Sequence, residues 1–191
     1  MTDTAWVCWL DLETTGPNEA HDPILEVGAV LCRNEPGMPV EHQWSWLVAQ
    51  PGNFWTEVHP GLDPYVREMH DTNGLWLALN HADRDIAEVD EEFSMLLRQT
   101  CGGNHVALAG SGVGHFDRRF IHAQMPRTDK RFTYWAYDVG VVRRLFDRIA
   151  PDLVRPLPAQ GKAHRGLDDA LDHRDAWLHY EALLTQPGAA T

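Results

Sequence analysis

Two carboxylates, Asp11 and Glu13, close an apolar segment near the start of the 191-residue chain. Residues 6–10 read as a buried strand, and a strand points residues i and i+2 to the same face, so the two carboxylates lie side by side. Neighbouring carboxylates repel, and burial makes their charged forms costlier still. Since no Lys or Arg precedes Arg33, the paired oxygens suit a divalent cation. The alternatives are a distant basic partner for each carboxylate or a solvated strand end.

A third carboxylate, Asp117, follows a predicted strand and three glycines in the segment AGSGVGHFDRRFI. It would open a helix beside the end of that strand, and open α/β sheets collect functional groups at the carboxyl ends of their strands. Asp is also a favourable residue at a helix start without any chemistry. In isolation, the position of Asp117 supports both interpretations about equally.

A histidine, His164, stands five residues before Asp169 in the segment AHRGLDDALDH. Five residues of helix turn through roughly 140°, so both side chains would point apart if they belonged to one helix. They can converge if His164 lies in the loop before Gly166 and Asp169 lies in the first turns of the helix. The alternative is a loop histidine followed by a solvated acidic first turn, which suits the helix dipole.

The alternation of strand-like and helix-like segments predicts where these side chains stand. Strands are predicted at 5–13, 24–33, 42–48, 105–110 and 134–139, and helices from Asp63 and over 85–99, 115–125, 141–149 and 166–184. This order predicts one α/β domain, residues 1–184, with a mixed five-stranded sheet and flanking helices. A loop over 151–162 and a flexible tail over 185–191 complete the expectation.

Composition bounds the partners and the compartment. The net charge of −12 argues against a long electrostatic track for duplex DNA, although 12 of the 16 Lys and Arg residues fall in 101–191. A local basic rim could form from Arg118, Arg119, Arg127, Lys130, Arg131, Arg143, Arg144, Lys162 and Arg165. Three cysteines without a C-x-x-C pair, no signal peptide and no apolar run of about 20 residues predict a cytoplasmic protein without membrane association.

The segments WLDLETTG, GHFDRRFI and HRGLDDA, in that order, resemble the three motifs of the DEDDh 3′→5′ exonucleases, most closely those of oligoribonuclease. The resemblance implies a ribonuclease H-like fold. It also implies that Asp11, Glu13, Asp117 and Asp169 hold two Mg²⁺ or Mn²⁺ ions, with His164 as the general base. Two metals would relieve charge at the attacking and leaving oxygens of a phosphodiester, and a histidine can accept a proton near neutral pH.

The resemblance also assigns substrate contacts. These fall on Leu12, Thr14, Thr15, Gly16, Tyr65, His70, Ser111 and His115. The chain departs from the family in three places: Pro17 stands where oligoribonucleases have a leucine wedge, Tyr65 replaces a tryptophan, and Ala136 replaces an aromatic supplied by the partner subunit. The loop before Asp117 is also one residue longer. These departures bear on substrate length and on the homodimer that the family implies, and they leave a monomer open.

The leading hypothesis is a metal-dependent 3′→5′ exonuclease that releases 5′-mononucleotides from short or single-stranded RNA or DNA. A proofreading or repair exodeoxyribonuclease would use the same five residues. An inactive nucleic-acid-binding module would be expected to lack at least one of them, and all five are present. A zinc protein, suggested by 11 histidines, has no supporting H-E-x-x-H or Cys/His spacing.

Overall fold

The computed structural model describes residues 4–154 and 164–185. Five strands form one mixed sheet in the order β3-β2-β1-β4-β5, in which β1 pairs antiparallel with β2 and parallel with β4. Their bounds are β1 (Trp6–Thr14), β2 (Ile24–Arg33), β3 (Val40–Leu47), β4 (Val106–Gly110) and β5 (Phe132–Asp138). The predicted α/β class, with three antiparallel strands followed by two parallel crossovers, is confirmed.

Helices cover both faces of this sheet. They are α1 (Pro64–Thr72), α2 (Leu75–Ala78), α3 (Ile86–Thr100), α4 (Asp117–Gln124), α5 (Pro126–Asp129), α6 (Val139–Ile149) and α7 (Gly166–Thr185). Helix α1 starts as predicted, because the Asp63 side chain accepts from the Tyr65 N–H and Pro64 takes the first helical position. Helix α3 begins with a capping box between Asp85 and Glu88.

One local prediction differs from the structure. Helix α4 begins at Asp117, two residues later than expected, because residues 112–116 form a turn in which His115 and Phe116 both donate to the Gly112 carbonyl. The segment after β3 holds a π-helical turn, Phe54–Val58. Phe54 packs there with Leu25, Leu75 and Trp76 in a small apolar cluster.

Strand β1 is buried on both faces because it lies in the middle of the sheet. Its even-numbered residues, such as Leu10 and Leu12, join a core with α3 and α4, whereas Val7 and Trp9 pack against α6 and α7. Asp11 and Glu13 continue the second face beyond that core, next to α7. The alternation of a strand therefore directs both carboxylates toward one helix.

Residues 186–191 of the predicted tail, and 155–162 of the predicted loop, lie outside the described residues. The single domain over 1–184 stays a prediction. Within the described ranges, no helix combines the length and the apolar character needed to cross a bilayer.

The start of α7 approaches the sheet closely at two glycines. A Cβ on Gly28 would lie 1.9 Å from the Gly166 carbonyl carbon, and a Cβ on Gly166 would lie 2.9 Å from the Asp11 carbonyl oxygen. Gly28 pairs with Asp11 across β1 and β2. Any side chain here would push the start of α7, which carries Asp169, away from Asp11.

We predict that Gly28→Ala destabilises the protein and lowers its nuclease activity. Overpacking of this kind costs roughly 1–3 kcal/mol, and the displaced helix start carries Asp169. Gly52→Ala is the matched control, because a Cβ there meets nothing within 4 Å. Thermal melting and initial rates of both variants test the prediction, and equal melting temperatures for the two would contradict it.

Candidate active site

A cleft of about 330 Å³ opens at the carboxyl end of β1. Asp11 and Glu13 enter it from β1, Asp117 from the first residue of α4, and Asp169 from the first turns of α7. His164 lines the same cleft from the residues just before α7. The structure therefore brings the five predicted catalytic residues together, although they are spread over 159 positions of the sequence.

Three of the four carboxylates are almost fully buried. Glu13 is 6% exposed, and Asp117 and Asp169 are 4% exposed each. Asp117 is tied to the central strand, because its Oδ1 accepts a hydrogen bond of 3.1 Å from the Leu12 backbone N–H. Leu12 thus orients Asp117 through its amide, and it is also one of the residues that line the cleft.

Ligand atoms of Glu13, His164 and Asp169 all lie within 4.8 Å of one another. Atoms at that spacing can reach a common cation, and carboxylate oxygens suit Mg²⁺ or Mn²⁺. Asp11 and Asp117 add two further carboxylates to the walls of the same cleft. The donor set therefore fits a divalent cation.

His164 has the loop position that convergence with Asp169 requires. It precedes the first residue of α7, Gly166, by two positions, and its backbone is left-handed with φ of 44°. The imidazole therefore does not follow the helical spacing that would turn it away from Asp169. The interpretation of one continuous helix through both residues is excluded.

The predicted substrate residues occupy different places. Leu12, Thr14, Gly16 and Ser111 line the cleft. Thr15, 3% exposed, shares an adjoining depression of about 520 Å³ with Tyr65, which is 68% exposed. Gly16, Pro17 and Val66 line both hollows, so the depression is continuous with the cleft.

The two predicted substrate histidines do not line the cleft. His70 is fully buried behind Glu13, and its Nδ1 lies 3.9 Å from the Glu13 Oε2. Its Nε2 donates to the Thr14 carbonyl over 3.1 Å, and burial lowers the pKa of His70. His115 is exposed on the turn before α4. His70 thus supports the end of β1 from behind, and substrate contact by His115 stays a prediction.

Several side chains at the cleft escaped sequence reasoning. Val66, Met69 and Phe116 add an apolar wall. His173, 5% exposed, places its Nδ1 3.9 Å from the Asp11 Oδ1. A signal for His173 existed, because it stands four residues after Asp169 and therefore on the same face of α7. Phe116 carried no signal beyond its position next to Asp117.

The basic rim is weaker than the sequence suggested. Arg118 pairs with Asp129 over 2.7 Å, Arg127 pairs with Glu91 over 3.2 Å, and Arg119 pairs with Glu19. Arg165 also pairs with a carboxylate, that of Glu26. Lys162 lies outside the described residues. Four of the eight rim residues that the structure describes are therefore engaged with acidic side chains.

Comparisons with known proteins show the family of the chain. A family model described as exonuclease, RNase_T, matches residues 8–173. The oligoribonuclease of Corynebacterium diphtheriae is 33% identical over 178 residues, which cover 89% of this chain and 82% of that protein. The oligoribonuclease of Neisseria meningitidis serogroup B is 26% identical over 191 residues, which cover 99% of this chain and 98% of that protein.

Solved structures share the fold. A complex of Escherichia coli exonuclease I with a 5cy-dA13 oligonucleotide has a TM-score of 0.63 at 13% identity, covering 95% of this chain and 43% of that one. Cell-death related nuclease 4 has a TM-score of 0.63 at 17% identity, covering 94% and 64%. This likeness confirms a ribonuclease H-like arrangement of the sheet and helices. The chain belongs to the exonuclease family that includes the oligoribonucleases, and it is a 3′→5′ exonuclease.

Proposed function

We propose that the protein removes 5′-mononucleotides from the 3′ end of short single-stranded oligonucleotides, with two divalent cations and His164 as the general base. The observation that carries this proposal is the convergence of Asp11, Glu13, Asp117, His164 and Asp169 in one cleft. The names of the relatives support an oligoribonucleotide substrate. Three free, buried cysteines favour the cytoplasmic location expected for such an enzyme.

The four carboxylates would hold the cations. The exonuclease family depends on divalent metal, and Glu13 and Asp169 already lie close enough to share one ion. When bound, a pair of such ions lowers the pKa of water and stabilises negative charge on the attacking and leaving oxygens. The buried carboxylates contribute by fixing where that positive charge lies.

His164 would accept the proton of the attacking water. Within the described residues it is the only histidine that lines the cleft, where it stands beside Glu13 and Asp169. A neutral imidazole can take up a proton near pH 7, whereas ionised carboxylates that serve as metal ligands are weaker bases. The same proximity would also allow His164 to act as a ligand.

The apolar wall of the cleft would receive the terminal base. Leu12, Pro17, Val66, Met69 and Phe116 are the apolar residues that line the cleft and form this wall. The exposed ring of Tyr65 in the adjoining depression could stack on a neighbouring base. A DNA substrate is the second candidate, favoured by the oligonucleotide in the exonuclease I complex. Rates on matched RNA and DNA oligomers distinguish the two.

We predict that Asp11→Asn and Asp169→Asn each abolish hydrolysis while the fold remains intact, since each change removes one negative charge from the site at nearly constant size. Asp172→Asn is the matched control, because Asp172 is exposed on α7 outside the cleft. Initial rates with Mg²⁺, Mn²⁺ or EDTA test the prediction. Wild-type activity in either variant would refute the assigned site.

We further expect Mn²⁺ to stabilise the wild type against heat, because the ions bind only the folded site. A ligand at 100 times its Kd stabilises by about 2.7 kcal/mol, which corresponds to roughly 5–10 °C for a chain of this size. The stabilisation should shrink in Asp11→Asn and remain in Asp172→Asn. No shift at millimolar Mn²⁺ would contradict the metal site.

We predict that oligonucleotides longer than a dinucleotide are degraded efficiently. The cleft continues into the depression beside Tyr65, and neither Ala136 nor Tyr137 lines it. Tyr137 instead packs against Trp177 of α7, with ring centroids 5.0 Å apart. Initial rates measured against oligonucleotide length, at fixed ionic strength, test this prediction. The same measurement is made on Tyr65→Ala, with Tyr134→Ala on β5 as its control. A steep preference for dinucleotides over pentamers would refute it.

We also propose a homodimer that uses the outer face of α6. Val141, Leu145 and Ile149 are 54%, 52% and 63% exposed and follow each other at four-residue spacing, which places them in one apolar row. Light scattering should give twice the 21.6 kDa chain mass for the wild type and one chain for Leu145→Glu. Leu77→Glu, at a 72% exposed position on α2, is the control and should remain dimeric. A monomeric wild type would refute the proposal.

A further inference from the structure

His164 occupies a backbone conformation that needs outside support. Its φ of 44° lies in the left-handed region, which is uncommon for residues other than glycine. The helix begins only two residues later, so the helical hydrogen bonds do not hold His164 itself. Whatever fixes the residues around His164 therefore fixes the direction of its imidazole.

Asn73 supports His164 from α1. Its Nδ2 donates a hydrogen bond to the His164 carbonyl, 91 positions away in sequence. Its Oδ1 accepts from the Leu75 N–H over 2.9 Å, so the amide is held at both ends. Asn73 is the C-cap residue of α1, which also contributes Val66 and Met69 to the cleft. The contact thus links His164 to the helix that carries Val66 and Met69 of the apolar wall.

Glu26 supports the next two residues from β2. Its carboxylate is 1% exposed and accepts two hydrogen bonds from Arg165, at 3.0 and 2.8 Å. It also accepts from the Gly166 N–H over 3.1 Å and from the Ser45 hydroxyl over 3.3 Å. A bidentate guanidinium and a buried acceptor form a rigid contact. Arg165 is thereby held on the sheet directly after His164.

We infer that Asn73 and the Glu26–Arg165 pair act together as a clamp that positions His164 for proton transfer. The clamp rests on the proposed role of His164 as the base. Asn73 holds the carbonyl side of His164, and Glu26 holds the residues that follow it. None of the three is a catalytic residue, because none lines the cleft. They are positioning residues that act through His164.

The clamp predicts a specific pattern in a double-mutant cycle. Asn73→Ala should lower kcat by on the order of 10- to 100-fold, because small displacements of a catalytic group are costly, and should leave KM nearly unchanged. His164→Ala should lower kcat by ~10²–10⁴-fold. The double variant should lose no more kcat than His164→Ala alone, to within about twofold, because the clamp then has no imidazole to position.

Two matched controls separate positioning from a general loss of structure. Asn104→Ala removes an asparagine whose Nδ2 also donates to a backbone carbonyl, that of Cys101, far from the cleft. Arg165→Lys keeps the positive charge beside Glu26 but loses the two parallel guanidinium hydrogen bonds. Arg33→Lys is its control, because it makes the same change in the exposed pair with Glu41. Arg165→Lys should behave as Asn73→Ala does, and both controls should keep wild-type kcat.

The experiment measures kcat, KM and single-turnover rates across pH, together with the Mn²⁺-induced shift in melting temperature, for every variant. Retained Mn²⁺ stabilisation in Asn73→Ala and Arg165→Lys, with a reduced kcat and no further loss in the His164→Ala background, supports the clamp. Wild-type kcat in Asn73→Ala and Arg165→Lys, or full additivity with His164→Ala, overturns it. If His164→Ala itself keeps its activity, the proposed base is wrong, which is a separate outcome.

Discussion

The Leu12 N–H donates to the carboxylate of Asp117 while Leu12 itself stands between Asp11 and Glu13 on the central strand. That contact gathers three negative groups at the end of a strand that is buried on both faces. Asp169 adds a fourth from α7. Such a concentration of buried charge is unfavourable without compensation, and hard cations supply it more completely than single basic side chains could. The rest of the fold holds these four carboxylates close together.

Helix α7 keeps Asp169 near the other carboxylates because its start packs closely on the sheet. Gly28 and Gly166 let the helix start lie on β1 and β2 at a distance that no other residue would permit. Glu26, two residues before Gly28, then holds Arg165 and Gly166. The carboxylate that would otherwise add to the repulsion is neutralised by Arg165, outside the cleft. Strand β2 thus allows the close approach of α7 at Gly28 and holds the start of that helix through the charge of Glu26.

The sequence predicted the positions of the catalytic residues better than those of the residues around them. Alternation along β1 and the loop position of His164 follow from local geometry, so the placement of Asp11, Glu13 and His164 was accessible before the structure. The burial of His70 was not, because it depends on how α1 packs behind Glu13. Phe116 was also missed, since its place in the cleft arises from the turn over residues 112–116. The pairing of Arg118 with Asp129 likewise required knowledge of where α5 lies.

The carboxylates, which were predictable from sequence, and the apolar wall, which largely was not, also differ in the elements that carry them. The carboxylates stand on a central strand and on helix starts that touch it, where movement would disturb the whole core. The apolar wall, by contrast, comes largely from α1, from the turn before α4 and from the segment that follows β1. Changes there, such as Pro17 and the longer loop at Phe116, can reshape the substrate surface without moving the carboxylates. Asn73 is the exception, because it joins the variable wall to His164. Through it, a change in α1 that alters substrate fit also alters the orientation of the base.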